Sequence, residues 1–350
     1  MKRILLTLLV IFSLVCSCRN SKHTVVVQNK FIKVNGIQTH YLDFGGHGMP
    51  VILVHSEAWD ATTFKDFGPQ LTDDNWVIAV TRPGYGNSGM GEYNVESQGN
   101  HLIAFLEALK IERAVFIANS SASKELTYLA ENYSNRVAGV VYLSGPATPW
   151  LDVSVDDPYK ASEMFGRSSP VANSEKNDRK KITEIRQNYK PRHYTLDSFK
   201  INVPALFFVS QKGREGHEKG VAALLFAGSP LMEDLRKTFP SSPLRSHLDR
   251  VATDSIYRKE KFNEMHDSIA KEFFFKLASD TILQRKIYDF HMQNVYPLTV
   301  EAQDKLMNAY GQNLTIVKLD VPQIVGYEYR DTPELIIEPI KNYLKQISLD

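Results

Sequence analysis

Between Ala114 and Pro146 the chain reads AVFIANSSASKELTYLAENYSNRVAGVVYLSGP: strand, tight turn, helix, strand. Ala114–Ile117 is a short apolar run of buried-strand type, and Ser123–Tyr133 carries helical spacing. Val137–Leu143 is a second apolar strand. Ser120 stands alone at the apex of the first turn. A serine at such a corner is held in a strained conformation, its hydroxyl thrust outward and a helix N-terminus behind it. That is where developing negative charge is stabilised, so Ser120 is a candidate nucleophile. The plainer alternative is a serine that caps the helix.

The rest of the chain repeats the alternation. Val25–Val34 and Ile37–Phe44 are strand-like and meet at Asn35-Gly36, a two-residue hairpin signal. Pro50–His55 is a buried strand, Phe64–Leu71 reads as helical, and Trp76–Val80 is another strand. It runs into Thr81-Arg-Pro-Gly-Tyr-Gly-Asn-Ser-Gly89, and Glu96–Leu109 is helical by periodicity. Apolar strands alternating with helices predict a mainly parallel sheet covered on both faces. Residues 147–200 are polar and read as a cap of short helices and loops. Val203–Val209 restores the strand pattern, and residues 214–295 form a long amphipathic helical insertion. Thr299–Tyr310 is a predicted helix, Leu314–Leu319 a strand and Glu334–Ile347 a closing helix. The expected division is a core from 24–146, 201–213 and 296–350, interrupted by the cap and the insertion.

The corner itself is Ala118-Asn119-Ser120-Ser121-Ala122, a small-x-Ser-x-small pattern in which backbone crowding tolerates no large side chain. It resembles the nucleophile elbow of the α/β-hydrolase superfamily, in particular serine hydrolases of the esterase and proline-iminopeptidase type. Alanines replace both usual glycines. The resemblance runs over about residues 30–212 and 297–347 and includes the order of elements. Arg82-Pro-Gly-Tyr-Gly-Asn-Ser88 matches a loop common in these proteins, its glycines serving turn geometry. The resemblance implies Ser120 as nucleophile and the backbone N–H groups of Ser121 and Glu57 as oxyanion donors. The usual His-Gly after the strand Pro50–His55 is His55-Ser56 here, and His55 is expected to order that loop.

The resemblance also exposes what is missing. The general base belongs in the loop after the last strand, where Gly326-Tyr327 stands in place of Gly-His, and no histidine follows His291. A tyrosine, with an ordinary pKa near 10, is a poor base at neutral pH. The acid position after Val203–Val209 is Ser210-Gln-Lys-Gly213. A relocated pair is available at either end of the insertion: Glu215 with His217, or Asp289 with His291. In each, acid and histidine stand two residues apart and would face the same way on an extended segment. Asp289 and His291 lie nearer the missing acid. The alternative for both histidines is surface or packing duty. At the level of the whole protein the alternative is a binding or scaffolding protein that has lost catalysis. Ser121-Ala-Ser-Lys124 also matches Ser-x-x-Lys, but two fixed positions in four are met by chance about once in a chain of this length.

At the N-terminus Lys2-Arg3 precedes an apolar run, Ile4–Val15, and then Cys16-Ser-Cys18. Basic start and short apolar run have the form of a secretory signal peptide. Val-Cys-Ser-Cys resembles a bacterial lipobox, so 1–17 is expected to be removed, Cys18 lipidated and 18–23 left as a tether. The folded domain would then sit at the cell envelope, on its periplasmic or outer-membrane side, held to the membrane by lipid on Cys18. One cysteine would remain, which leaves no internal disulfide. The net charge of +1 falls to −1 without Lys2 and Arg3, which argues against nucleic acid as a partner. No metal-spaced His/Cys cluster and no dinucleotide motif occurs, so no cofactor is expected. The expected partner is a small ester, amide or peptide substrate.

Overall fold

The computed structural model describes residues 26–56, 59–92, 94–143, 200–211, 254–263, 296–320 and 328–347, with single positions at Gly213, Ile282, Asp289 and Gln293. The predicted cap, nearly all of the insertion and the N-terminal segment with Cys18 lie outside these residues.

Eight strands form one sheet: β1 (Gln28–Val34), β2 (Ile37–Gly45), β3 (Met49–Val54), β4 (Asn75–Val80), β5 (Ala114–Ala118), β6 (Val137–Tyr142), β7 (Ala205–Ser210) and β8 (Leu314–Leu319). Their order across the sheet is β1-β2-β4-β3-β5-β6-β7-β8. The first two pairings are antiparallel and the rest parallel. The β1–β2 hairpin turns at Asn35 and Gly36, with φ of 47° and 86° and Val34 opposite Ile37. Two consecutive positive φ values are what the two-residue hairpin turn of this hand requires, and Asn-Gly supplies them at low cost.

Alternation along the central strands separates two cores. Ile52, Val54, Ile78, Val80, Phe116 and Ala118 pack on one face, against α1 (Val95–Ala108), α2 (Ser123–Asn132) and Tyr310. Val51, Leu53, Val77, Ala79, Val115 and Ile117 pack on the other. There they meet Phe64, Phe67 and the closing helix, numbered α6 here (Ile337–Ile347). Period-two side-chain direction in strands buried on both sides produces this division. The remaining helices are α3 (Ser255–Asn263), α4 (Tyr296–Tyr310) and α5 (Glu328–Asp331).

Two expectations need correction. Phe64–Leu71 is not one helix but two single 3₁₀ turns, Ala61–Phe64 and Gly68–Leu71. Gly68-Pro69 breaks the run, since a proline cannot donate the bond that would continue a helix through it. The closing helix starts at Ile337, not Glu334, because Pro333–Leu335 forms a separate 3₁₀ turn.

The strand order locates the crevice. β3 lies between β4 and β5, so the chain leaves β3 to one side and later returns to its other side. In open parallel sheets a ligand crevice forms at such a reversal, outside the carboxyl ends of the strands. The carboxyl ends of β3, β4 and β5 carry His55-Ser56, Thr81-Arg82 and Asn119-Ser120.

Candidate active site

β5 runs buried to Ala118, and Asn119 is still extended at φ −110° and ψ 136°. Ser120 then turns to φ +50°, outside glycine's company one of three described residues with positive φ. Left-handed backbone costs a residue with a β-carbon about 1–2 kcal/mol and persists only where surroundings impose it. Here β5 and α2 impose it. Asn119 N–H donates to Val54 O at 3.3 Å, extending the β3–β5 ladder, and Ala122 N–H donates back to Asn119 O at 3.2 Å. The Ser123 hydroxyl donates to Ser120 O, closing the first turn from the helix side. Ser120 is exposed, whereas Asn119 and Ala122 on either side are buried. Ser121 is half-buried in the 3₁₀ turn Ser120–Ala122 that leads into α2. Sharp corner, outward serine and helix start are therefore all present.

The loop after β3 lies beside this corner because Val54 pairs with Ala118. His55 is wholly buried. Its Nδ1 lies 2.7 Å from Ser56 O, to which only a protonated nitrogen can donate, and its Nε2 accepts the Arg82 N–H at 3.0 Å. The two partners fix a single neutral tautomer. Burial holds the imidazole pKa well below 6.5, and the Arg82 charge pushes in the same direction. With both nitrogens committed to main-chain groups, His55 orders the loop, as expected from its position, and has no nitrogen left for a serine proton.

The other described histidines are also placed. His40 bridges Thr81 Oγ1 and Asn29 Oδ1 at 2.8 and 2.9 Å. His101, on α1, is bound to Thr39 Oγ1 at 2.9 Å, and burial lowers its pKa to about 4. His47 precedes β3 and so lies at the amino end of the parallel strands, opposite Ser120. None of the four described histidines is set to serve Ser120. His217, His291, Glu215 and Glu57 lie outside the described residues, as do Gly326 and Tyr327. Asp289 is described, and it is half-buried and helical rather than extended. Successive helical residues turn by about 100°, so the extended alignment expected for Asp289 and His291 does not start from Asp289.

Beneath the corner lies a pair that sequence reading missed. Arg82 Nη1 donates to Glu125 Oε1 at 2.7 Å, with side chains 3% and 0% exposed. The same guanidinium sits 4.7 Å from the Tyr85 ring centre, and that ring meets His55 edge-on at 5.1 Å. Glu125 is on α2, so this network ties the serine's helix to the loop after β4 and the loop after β3. The Arg82–Ser88 segment accordingly serves structure: Gly84 and Gly86 take φ of 83° and 46°. A buried glutamate on the polar-looking stretch Ser-Lys-Glu gives no sequence signal, because its partner is 43 residues away.

A second cluster on the same edge was equally hidden. The Arg330 guanidinium lies 4.3 Å over the Trp59 ring, and Tyr329 OH pairs with Thr63 Oγ1 at 2.8 Å. Asp60, next to Trp59, is buried with its carboxylate accepting from the N–H and hydroxyl of Thr62. Among the described residues no group of His, Cys, Asp and Glu is arranged to hold a metal ion.

A doubly covered parallel sheet with a strained serine at its switch point defines a class, and the chain belongs to it: residues 47–258 match the alpha/beta hydrolase family. The curated relatives are hydrolases. The chain is 30% identical over 145 residues to bifunctional epoxide hydrolase 2 of Mus musculus, covering 39% of this chain and 24% of that enzyme. It is 26% identical over 193 residues to 2-hydroxy-6-oxo-2,4-heptadienoate hydrolase of Pseudomonas putida, covering 50% and 67%. It is 30% identical over 187 residues to 2-hydroxymuconate semialdehyde hydrolase of Pseudomonas sp. strain CF600, covering 49% and 64%. The chain thus spans a quarter to about two thirds of the length of these relatives. Among solved structures, an N-acyl homoserine lactone degrading enzyme, Est816, superposes with a TM-score of 0.54 at 14% identity, over 90% of this chain and all of that one. That likeness concerns the fold alone.

Proposed function

We propose that the protein is a serine hydrolase acting on ester or amide bonds of a small molecule or peptide, with the Ser120 hydroxyl as nucleophile. The observation that carries this is the left-handed Ser120 backbone at an exposed corner between buried β5 and α2. A helix cap has no need of a strained φ, since a capping serine is extended. In the reaction Ser120 attacks the carbonyl carbon, and the N–H groups of Ser121 and Glu57 are the proposed donors to the oxyanion. A histidine from the insertion, His291 or His217, takes the serine proton and passes it to the leaving group. Glu215 supports it in the His217 case; in the His291 case Asp289, which is helical, supports it only across a turn of chain that departs from the helix after it. Family membership and hydrolase relatives support the reaction class.

The rival reading, a hydrolase-fold binding protein, draws on one observation: His55, at the end of the strand that pairs with β5, is committed on both nitrogens. Turnover of 4-nitrophenyl acetate and butyrate separates the two. Hydrolysis by the wild-type protein that disappears in Ser120→Ala supports the enzyme; binding of acyl compounds without turnover supports the rival. Envelope anchoring through lipid on Cys18 belongs to the same proposal and rests on the Val15–Cys18 motif. Cys18→Ala is expected to move the protein from the membrane to the soluble fraction, and unchanged membrane fractionation would count against it.

A further inference from the structure

Trp59 and Arg330 are 271 positions apart in the chain, yet the guanidinium of one lies 4.3 Å over the ring of the other. Both belong to the edge of the sheet that carries Ser120. Trp59 follows the β3 loop, its N–H donating to Ser56 O at 3.2 Å. Arg330 is on α5, which is pinned by Tyr329 to Thr63 and by ring contacts to Phe64 and Phe67.

Both partners retain unused donors. Arg330 is exposed and has no carboxylate partner among the described residues. Contact through the ring face still leaves N–H groups round the rim of the guanidinium for a second partner. The Trp59 indole N–H is shut off from solvent and has no acceptor among the described residues. A buried donor without an acceptor is costly and uncommon in native proteins. The adjacent Asp60 carboxylate accepts from Thr62 through Oδ1 and forms no hydrogen bond with the indole. A fixed cation and an unmet donor in one cluster call for a ligand with negative charge and at least two acceptor oxygens.

We propose that Trp59 and Arg330 form an anion subsite on the edge of the sheet that carries Ser120, and that the substrate carries a carboxylate. The first part stands on the cluster alone; the second rests on the serine hydrolase reading. Arg330 binds the carboxylate through charge-assisted hydrogen bonds, and the indole N–H gains its acceptor from the same group.

Two measurements keep the parts apart. The first is titration of glutarate into Ser120→Ala protein, with and without the further change Arg330→Gln, followed by calorimetry. Saturable binding that weakens about tenfold or more in Arg330→Gln is expected, the worth of one charge-assisted hydrogen bond. Trp59→Phe, which keeps a ring under Arg330 but removes the indole donor, is expected to fall between. Binding indifferent to both changes, or no binding at millimolar glutarate, overturns the subsite. The second compares mono-4-nitrophenyl glutarate with 4-nitrophenyl butyrate. The anionic-to-neutral ratio of kcat/KM should fall about tenfold or more in Arg330→Gln, carried by KM. An unchanged ratio overturns the substrate assignment. Glutarate binding lost in Arg330→Gln without turnover of either ester would remove the hydrolase reading and leave the subsite standing.

Discussion

Ser120 and His55 end adjacent strands of one sheet and differ in every physical respect. Ser120 is exposed, left-handed at φ +50°, and built on an extended Asn119 and a helix start. His55 is wholly buried, with one nitrogen donating to Ser56 O and the other accepting from Arg82 N–H. One corner stores strain and presents a hydroxyl; the other is relaxed and satisfied. Local strain retained at an exposed residue is a sign of use, whereas complete satisfaction of a buried one is a sign of support. The contrast sets the proposed nucleophile at the end of β5 apart from a supporting histidine at the end of β3.

The sharpest way to break that contrast is to remove each side in turn by mutation. Ser120→Ala should reduce ester turnover on the order of a thousandfold or more while leaving the fold intact, because catalytic groups act as a unit. A loss of less than tenfold would move the nucleophile elsewhere. The next largest effect falls on the support beneath. Glu125→Ala leaves the Arg82 guanidinium buried without its carboxylate partner and should cost about 3–5 kcal/mol in chemical denaturation. The double change Arg82→Met with Glu125→Leu should recover most of it, since apolar replacement of a whole buried pair is often neutral. If the double variant is as unstable as the single one, the pair is not what ties α2 to the β4 loop.

Acid should find the satisfied side first. His55 and His101 both have folded pKa values below the unfolded value of 6.5, His101 at about 4. Burial disfavours their charged forms in both cases. Their contribution is therefore complete above pH 6.5 and is lost as the pH falls from 6.5 towards 4. The loss approaches about 1.4 kcal/mol per pH unit for each site. His101→Gln should lower the slope of stability against pH in that interval, measured by urea unfolding at a series of pH values. An unchanged slope would mean His101 is protonated without penalty. The smallest effect sharpens the strained side: Ser120→Gly should raise stability by about 1 kcal/mol relative to Ser120→Ala, because glycine adopts φ +50° without steric cost.

Much of the frame was legible in the sequence, for physical reasons. Buried strands such as PVILVH and AVFIA are apolar on both faces, and the Asn35-Gly36 turn follows from backbone sterics. The corner at Ser120 was readable because its neighbours must be small. The helix over Phe64–Leu71 was misread because apolar spacing outweighed Gly68-Pro69, whose effect is to end a turn. His55 could be given a loop-ordering role by position, but not the two main-chain groups that fix its tautomer. The Arg82–Glu125 and Trp59–Arg330 pairs were not legible at all. Each joins residues far apart in the chain, and a lone Arg, Glu or Trp carries no periodicity that would announce its partner.

Whether the Ser120 oxygen is activated is measured most directly by covalent labelling with a fluorophosphonate, with the adduct mapped by peptide mass spectrometry. A single phosphonyl group on Ser120, absent from the Ser120→Ala protein, is the predicted result. An unlabelled protein, or an adduct on a different serine that survives Ser120→Ala, would contradict it.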